Sequence, residues 1–198
     1  MRHLLVPLAA LALVAGCTPD VAPTGSPSVF PSPTVSASPS PTPTPSPSAV
    51  ESFPPAPATE SPEQAAIRAA WMEYWDVRSR FVADPTLTDL SETQRVTTGE
   101  AEDLILSSIR NLRNAGQRSV GGLEFRGISI GVARESDGGL AHADVTYCLD
   151  RSKVQLLDSS GEAVIVEGPT TLKETATLER GLDDVWRVAL IRNEAAEC

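Results

Sequence analysis

Ser61-Pro62-Glu63-Gln64-Ala65-Ala66-Ile67-Arg68-Ala69-Ala70-Trp71-Met72-Glu73-Tyr74-Trp75-Asp76-Val77-Arg78-Ser79-Arg80-Phe81-Val82-Ala83 is the stretch on which the fold turns. Serine before a proline, with glutamine three residues after the serine, is the signature of a capped helix start: the two side chains satisfy backbone N–H groups that the first turn leaves open. Asp84-Pro85 stops the helix, because the residue before a proline is pushed out of the helical region. On a 3.6-residue period Ile67, Ala70, Trp71, Tyr74, Phe81 and Val82 share one broad face. The stretch therefore predicts the main core-facing helix.

Arg78 falls in the middle of that apolar face. Its stem can lie under the apolar surface while its tip reaches water or a carboxylate. Alternatively it projects into a cavity, where its planar fork suits an anionic ligand. Trp71, Tyr74 and Trp75 carry the same pair of readings, as core or as part of a ligand box.

Downstream, a polar connection from Thr86 to Thr97 leads to a second helix, opened by Thr98-Gly99-Glu100-Ala101, carrying Leu104, Ile105, Ile109 and Leu112, and closed by Ala115-Gly116. The apolar period then changes to two. Phe125, Ile128, Ile130 and Val132 predict a strand with an irregularity near Gly127, and Leu140 to Leu149 predicts a regular one. In the latter, Ala141, Ala143, Val145, Tyr147 and Leu149 lie on one face, and His142, Asp144, Thr146 and Cys148 on the other. Lys153 to Leu157 and Ala163 to Val166 flank the hairpin sequence Asp158-Ser159-Ser160-Gly161. Thr170 to Glu179 and Val185 to Ile191 follow, separated by Gly181-Leu182-Asp183-Asp184. Two helices followed by antiparallel strands make one α+β domain over residues 61 to 198.

Upstream of Ser61 the composition changes. Of the chain's 17 prolines, 14 lie between residues 18 and 62, in runs such as Pro39-Ser40-Pro41-Thr42-Pro43-Thr44-Pro45-Ser46-Pro47. With few apolar side chains to offset the entropy of ordering, this segment reads as a disordered tether, residues 17 to 60, with Phe30 and Phe53 as isolated aromatics. Extended as polyproline it would span roughly 130 Å. Its Ser and Thr side chains are also those of O-glycosylated stalks.

The N-terminus reads as a removable signal. Arg2 gives a basic head, Leu4 to Val14 an apolar run too short to span a bilayer, and Leu13-Val14-Ala15-Gly16-Cys17 a lipobox. This order resembles the bacterial lipoprotein pathway, which implies lipidation of the Cys17 thiol, cleavage of residues 1 to 16, and anchoring by palmitate-like acyl chains on the extracytoplasmic face of the cell membrane. The competing reading is an ordinary secretory signal. Removal of residues 1 to 16 takes the formal charge from −10 to −11, and no basic cluster offers a nucleic-acid footprint. His142 is the one histidine left, so the common zinc sites lack ligands, and no cofactor or metal is expected.

With Cys17 assigned to lipid, Cys148 and Cys198 remain as an even pair in a disulfide-permissive compartment. They are expected to be bonded, the other reading being two free thiols.

The aromatic helix Trp71 to Trp75, the strand Ala143-Asp144-Val145-Thr146-Tyr147-Cys148 and the closing Val185-Trp186-Arg187-Val188 together resemble the nuclear transport factor 2-like, or cystatin-like, superfamily. That resemblance implies a cone, with a long first helix in the hollow of a strongly curved sheet. With the lipobox and tether, the whole is similar to lipoproteins of high-GC Gram-positive bacteria. A preference for arginine over lysine, 14 against 2, agrees with such coding.

The superfamily includes small-molecule isomerases, cyclases and dehydratases as well as binding and assembly modules, so fold alone does not decide function. The expected function is a noncatalytic binding module for a small apolar or anionic ligand, or for another envelope component, with Trp71, Tyr74, Trp75, Arg78 and Tyr147 as candidate lining. Two alternatives stand beside it. One is an isomerase or cyclase using His142 and Asp144, or Tyr147 from the other strand face; the other is a protein–protein assembly module, for which a dimer would be the sign.

Overall fold

The computed structural model describes residues 52–136, 138–196 and 198. The expected signal peptide, the expected lipidation site Cys17 and the expected linker as far as Glu51 lie outside the described residues.

Helix α1, Pro62–Ala83, begins as its sequence requires. Gln64 N donates to Ser61 Oγ at 3.2 Å, and Ser61 N donates to Gln64 Oε1 at 3.1 Å. Removing such a cap costs a helix about 1 kcal/mol. The same Gln64 side chain donates from Nε2 to the Ile130 carbonyl at 3.0 Å, so the capping residue also pins the helix start to the sheet. Ile67, Trp71, Tyr74, Trp75, Val77, Phe81 and Val82 are buried along its inner face.

The connection expected between the helices holds a short helix, α2, Ser91–Val96. Two buried threonines explain why it reads as polar. Thr93 Oγ1 donates to the Leu90 carbonyl and Thr97 Oγ1 to the Thr93 carbonyl, both at 2.7 Å, so polar side chains enter the core already satisfied. Helix α3, Gly99–Asn114, follows and buries Ala101, Ile105 and Ile109.

Among the described residues eight strands follow: β1 (Arg118–Val120), β2 (Glu124–Ile130), β3 (Arg134–Glu135), β4 (Ala141–Asp150), β5 (Gln155–Leu157), β6 (Ala163–Val164), β7 (Thr171–Arg180) and β8 (Trp186–Ala195). The main antiparallel sheet runs β2-β4-β7-β8, with β3 added beside β4; β1, β5 and β6 form a separate small sheet. Helix α1 packs across the main sheet, touching β2, β4, β7 and β8, and also β1. The result is the mixed helix and antiparallel-sheet architecture that the sequence implies.

Two bulges shape the sheet. The β2–β4 register slips between Arg126 and Ser129, at Gly127 with φ 61°, and the β7–β8 register slips where Thr177 faces Leu190 but Leu178 faces Val188. Each extra residue bends its strand and raises the local twist. The hairpin β5–β6 is shorter than the expected segments and pairs with β1 rather than with the main sheet. Asp158 holds its turn, accepting from Ser160 N, Ser160 Oγ and Glu162 N at 2.8, 2.6 and 3.0 Å.

The packed chain reaches back beyond the expected start at Ser61. Ser52 N donates to the Leu123 carbonyl at 3.1 Å, and the Ser52 carbonyl accepts from Phe125 N at 3.2 Å. Phe53 stacks on Phe125 at 4.8 Å and meets Trp71 edge-on at 5.4 Å. Glu60 forms a nearly buried pair with Arg68 at 2.8 Å. Phe53 is isolated in sequence but not in space, because both of its ring partners come from distant elements.

Cys148 and Cys198 are bonded, with Cα atoms 5.8 Å apart. The bond ties the C-terminal part of β4 to the tail beyond β8.

Candidate functional site

The hollow under α1 is divided into a filled half and an open half. Trp71, 0% exposed, sits at the centre of the filled half, with Phe53, Phe125 and Tyr147 at ring-centroid distances of 5.4, 5.1 and 4.8 Å. Edge-on and tilted pairs of this kind add about 0.5–1.5 kcal/mol each beyond burial. One helical turn further along, the sheet and helix separate, and a cavity of about 460 Å³ opens.

Its walls come from six places. Tyr74, Trp75, Arg78 and Val82 descend from α1, and Leu104, Ile105 and Leu112 from α3. Leu149 and Arg151 close it at the end of β4, Leu172 and Glu174 on β7, and Ile191 and Asn193 on β8. The small sheet adds Val154 and Leu156, with Val166 and Leu104 partly exposed. Aliphatic side chains share this surface with the hydroxyl residues Ser79, Ser108, Ser119, Ser152 and Thr170, and its charged groups set what it can hold.

Glu174 is the first of these. Strand alternation places it on the inner face with Ala176 and Leu178, and it is 4% exposed. It faces Tyr147 on β4 and Asn193 on β8. The Tyr147 hydroxyl donates to Glu174 Oε2 at 2.7 Å. Burial pushes the Glu174 carboxyl above the usual range, against the opposing pull of the Tyr147 hydrogen bond and of Arg78 and Arg151. Burial also raises the Tyr147 hydroxyl, with the Glu174 charge adding to the effect. The Tyr74 hydroxyl is pushed up to about 12 by burial, opposed by Arg78 and reinforced by Glu174. Both phenols are therefore hydrogen-bond donors at any physiological pH.

Arg78 is the second. Its guanidinium lies 5.3 Å from the centre of the Trp75 ring, a cation–π contact. Among the described residues no carboxylate lies within ion-pair distance of it, whereas Arg68, lower on the same helix, is matched by Glu60. Arg151 points its Nε at the Pro169 carbonyl, 2.8 Å away. Two cations and one carboxyl that burial biases toward its neutral form give the cavity a positive balance. The indole nitrogens of Trp71 and Trp75 are buried with no hydrogen-bond partner among the described residues.

Of the five residues expected to line a pocket, Tyr74, Trp75 and Arg78 do so. Trp71 and Tyr147 do not: Trp71 fills the closed half, and Tyr147 lies behind Glu174, reaching the site only through its hydroxyl. His142 and Asp144 are on the opposite face of β4 from Tyr147 and do not reach the cavity. Asp144 accepts from Thr177 Oγ1 at 2.7 Å and pairs with Arg134 at 3.5 Å, and His142 stands between Arg134 and Glu179 in the strand register. The catalytic arrangement built on those two residues is therefore not part of this cavity.

Glu174 and Arg151 were not anticipated. The signal for Glu174 is the alternation Leu172, Glu174, Ala176, Leu178, which places an acid in an apolar row. Arg151 sits in a turn and offers no such pattern.

No protein-family model matches the chain, and no curated protein matches it in sequence. Solved structures similar to it include the intermembrane-space region of the chloroplast protein ARC6, at 11% identity and a TM-score of 0.45, covering 67% of this chain and 97% of that one. A ketosteroid isomerase-like protein from Erwinia carotovora atroseptica matches at 12% identity and a TM-score of 0.39, covering 70% and 99%. A protein from Catenulispora acidiphila matches at 16% identity and a TM-score of 0.38, covering 67% and 93%.

Proposed function

We propose that this chain is a cell-envelope lipoprotein, held to the extracytoplasmic face of the membrane through lipidated Cys17, and that its nuclear transport factor 2-like domain is a noncatalytic module that binds a small ligand in the cavity under α1. The observation that carries the reading is Arg78: a guanidinium in the cavity wall, resting on the Trp75 ring, with no carboxylate in ion-pair range among the described residues. A cation committed to structure alone is normally matched, as Arg68 is by Glu60.

Native mass spectrometry of the mature chain with Cys17→Ser, purified oxidised from an exporting host, tests the binding. A reproducible extra small-molecule mass that disappears in Arg78→Gln supports it; a bare chain from every preparation removes its support. For the anchor, the wild-type chain should sediment with membranes and the Cys17→Ser chain should not. Equal partition of the two would sink the lipoprotein assignment.

A second reading is an isomerase- or cyclase-like enzyme, favoured by the buried Glu174–Tyr147 pair in the cavity wall, since a carboxyl with a raised pKa beside a phenol can move a proton. Turnover of a bound ligand that is lost in Glu174→Gln, with binding retained, would support this reading over simple binding. The assembly-module alternative requires instead that the chain form a dimer or capture an envelope protein in solution, which analytical ultracentrifugation of the mature domain would show.

A further inference from the structure

We propose that the cavity takes an apolar carboxylic acid whose carboxyl group faces Arg78 and shares one proton with the Glu174 carboxyl. This rests on the binding reading above and adds the chemistry of the ligand.

The argument begins with what the two charged groups lack. Glu174 has one hydrogen bond, from Tyr147, and Arg78 has a ring beneath it; neither is in ion-pair contact with the other. Both belong to the wall of one cavity. A ligand group placed between them must accept from a guanidinium and also make a favourable contact with a carboxyl. A bare carboxylate satisfies the first condition and is repelled under the second, unless one proton lies between the two carboxyl groups. Two carboxyls sharing a proton carry a single negative charge, which pairs with Arg78 at the point of contact, so the carboxylates do not face each other bare; Arg151, held by the Pro169 carbonyl, leaves the cavity as a whole positive.

The other groups facing Glu174 fit this arrangement. Tyr147 on β4 stays protonated and donates, Tyr74 on α1 stays protonated, Arg151 after β4 adds positive potential, and Asn193 on β8 is uncharged. Burial already favours the protonated form of Glu174. An amine would meet two guanidiniums, and a phosphate monoester would bring a second negative charge beside Glu174. The rest of the wall combines Leu104, Ile105, Leu156 and Ile191 with the hydroxyl residues Ser79, Ser108, Ser119, Ser152 and Thr170, and its aliphatic part suits an apolar body.

Decanoate and decanol, which share a tail, test this by titration calorimetry on the mature Cys17→Ser chain between pH 5 and pH 9. Decanoate should bind more tightly at low pH, its affinity falling by up to about tenfold per pH unit once Glu174 is ionised in the free protein, with uptake of one proton. Decanol should show no pH trend. In Glu174→Gln, where the amide N–H₂ stands in for the shared proton, decanoate should bind with no pH trend over this range. In Arg78→Gln its affinity should fall at least tenfold while that of decanol is unchanged. If Glu174→Gln does not fold, proton uptake by the wild-type chain, measured in buffers of different ionisation enthalpy, decides the same point. Decanol bound as tightly as decanoate, or decanoate bound with no proton uptake, overturns the proposal and leaves the cavity reading standing. Absence of binding by both overturns the two together.

Discussion

Glu174 carries a free-energy cost that depends on pH. A carboxyl placed among Ala176, Leu178 and Tyr147 is held closer to its neutral form than in the unfolded chain. For an acid raised in this way, the folded state binds the proton more tightly than the unfolded state. Its contribution to stability is therefore fully present below the unfolded-state value and is lost as pH rises through the folded one. Wild-type stability should accordingly fall, relative to Glu174→Gln, as pH rises above the ordinary glutamate range, and parallel urea denaturations of the two chains would read the difference directly. A constant difference across pH would mean that Glu174 titrates normally. Tyr147→Phe makes the complementary case. It removes the hydrogen bond that holds Glu174 in its ionised form, so the Glu174 carboxyl should titrate at still higher pH, and the domain should lose about 1–3 kcal/mol from leaving the acceptor bare. NMR titration of the side-chain carboxyl checks the first effect, and denaturation the second.

At the scale of elements, legibility followed the range of the interaction. The start of α1, the faces of β4, the irregularity near Gly127 and the Asp158 turn are written in residues a few positions apart, and these are the features read correctly from sequence. Phe53, α2 and Glu174 depend on partners far along the chain: Phe53 on Phe125 and Trp71, α2 on the β8 backbone at Val188, Glu174 on Tyr147. The site divided the same way. Arg78 is conspicuous because it interrupts a helical apolar face, whereas Glu174 shows only once its strand's inner face is known, and Trp71 and Tyr147 looked like lining because no local pattern tells which half of a hollow is filled. Two changes probe these long-range contacts. A chain beginning at Ser61 loses the Ser52 backbone pairing, the Phe53 rings and the Glu60–Arg68 pair. It should be destabilised by about 2–4 kcal/mol against one beginning at residue 45, with thermal unfolding as the measure. Gly121→Ala tests the small sheet that walls the cavity. Gly121 has φ 90°, and an added Cβ would come within 2.0 Å of the Lys153 carbonyl, so β1 and β5 must separate. A loss of about 2–3 kcal/mol is expected, together with weakened ligand binding, since Val154 and Leu156 would move with β5.

For the molecule as a whole, the disulfide is the one cross-link among the described residues on a sheet that combines the local hairpin β7–β8 with the longer-range pairings β2–β4 and β4–β7. Cys148 lies on the outer face of β4, and its partner Cys198 follows the end of β8, so the bond closes a segment with a sequence separation of 50 that contains β5 to β8. A loop of that size should disfavour the unfolded chain by roughly 4 kcal/mol on the entropy model, a large share of the 5–15 kcal/mol available to an ordinary domain. The model also specifies where the effect resides. If the bond acts by restricting the unfolded chain, removing it lets that chain expand and expose more surface, so the slope of stability against urea should steepen as the midpoint falls. If it acts instead by holding the native tail in place, the slope should stay constant, and the loss should appear as local opening near the tail, where Thr171 Oγ1 donates to the Ala196 carbonyl at 2.8 Å. Urea unfolding of oxidised wild type against a Cys148→Ala, Cys198→Ser chain separates the two. We expect the steeper slope and a loss of roughly 3–4 kcal/mol, with hydrogen exchange at β4 and β7 rising only in step with global stability.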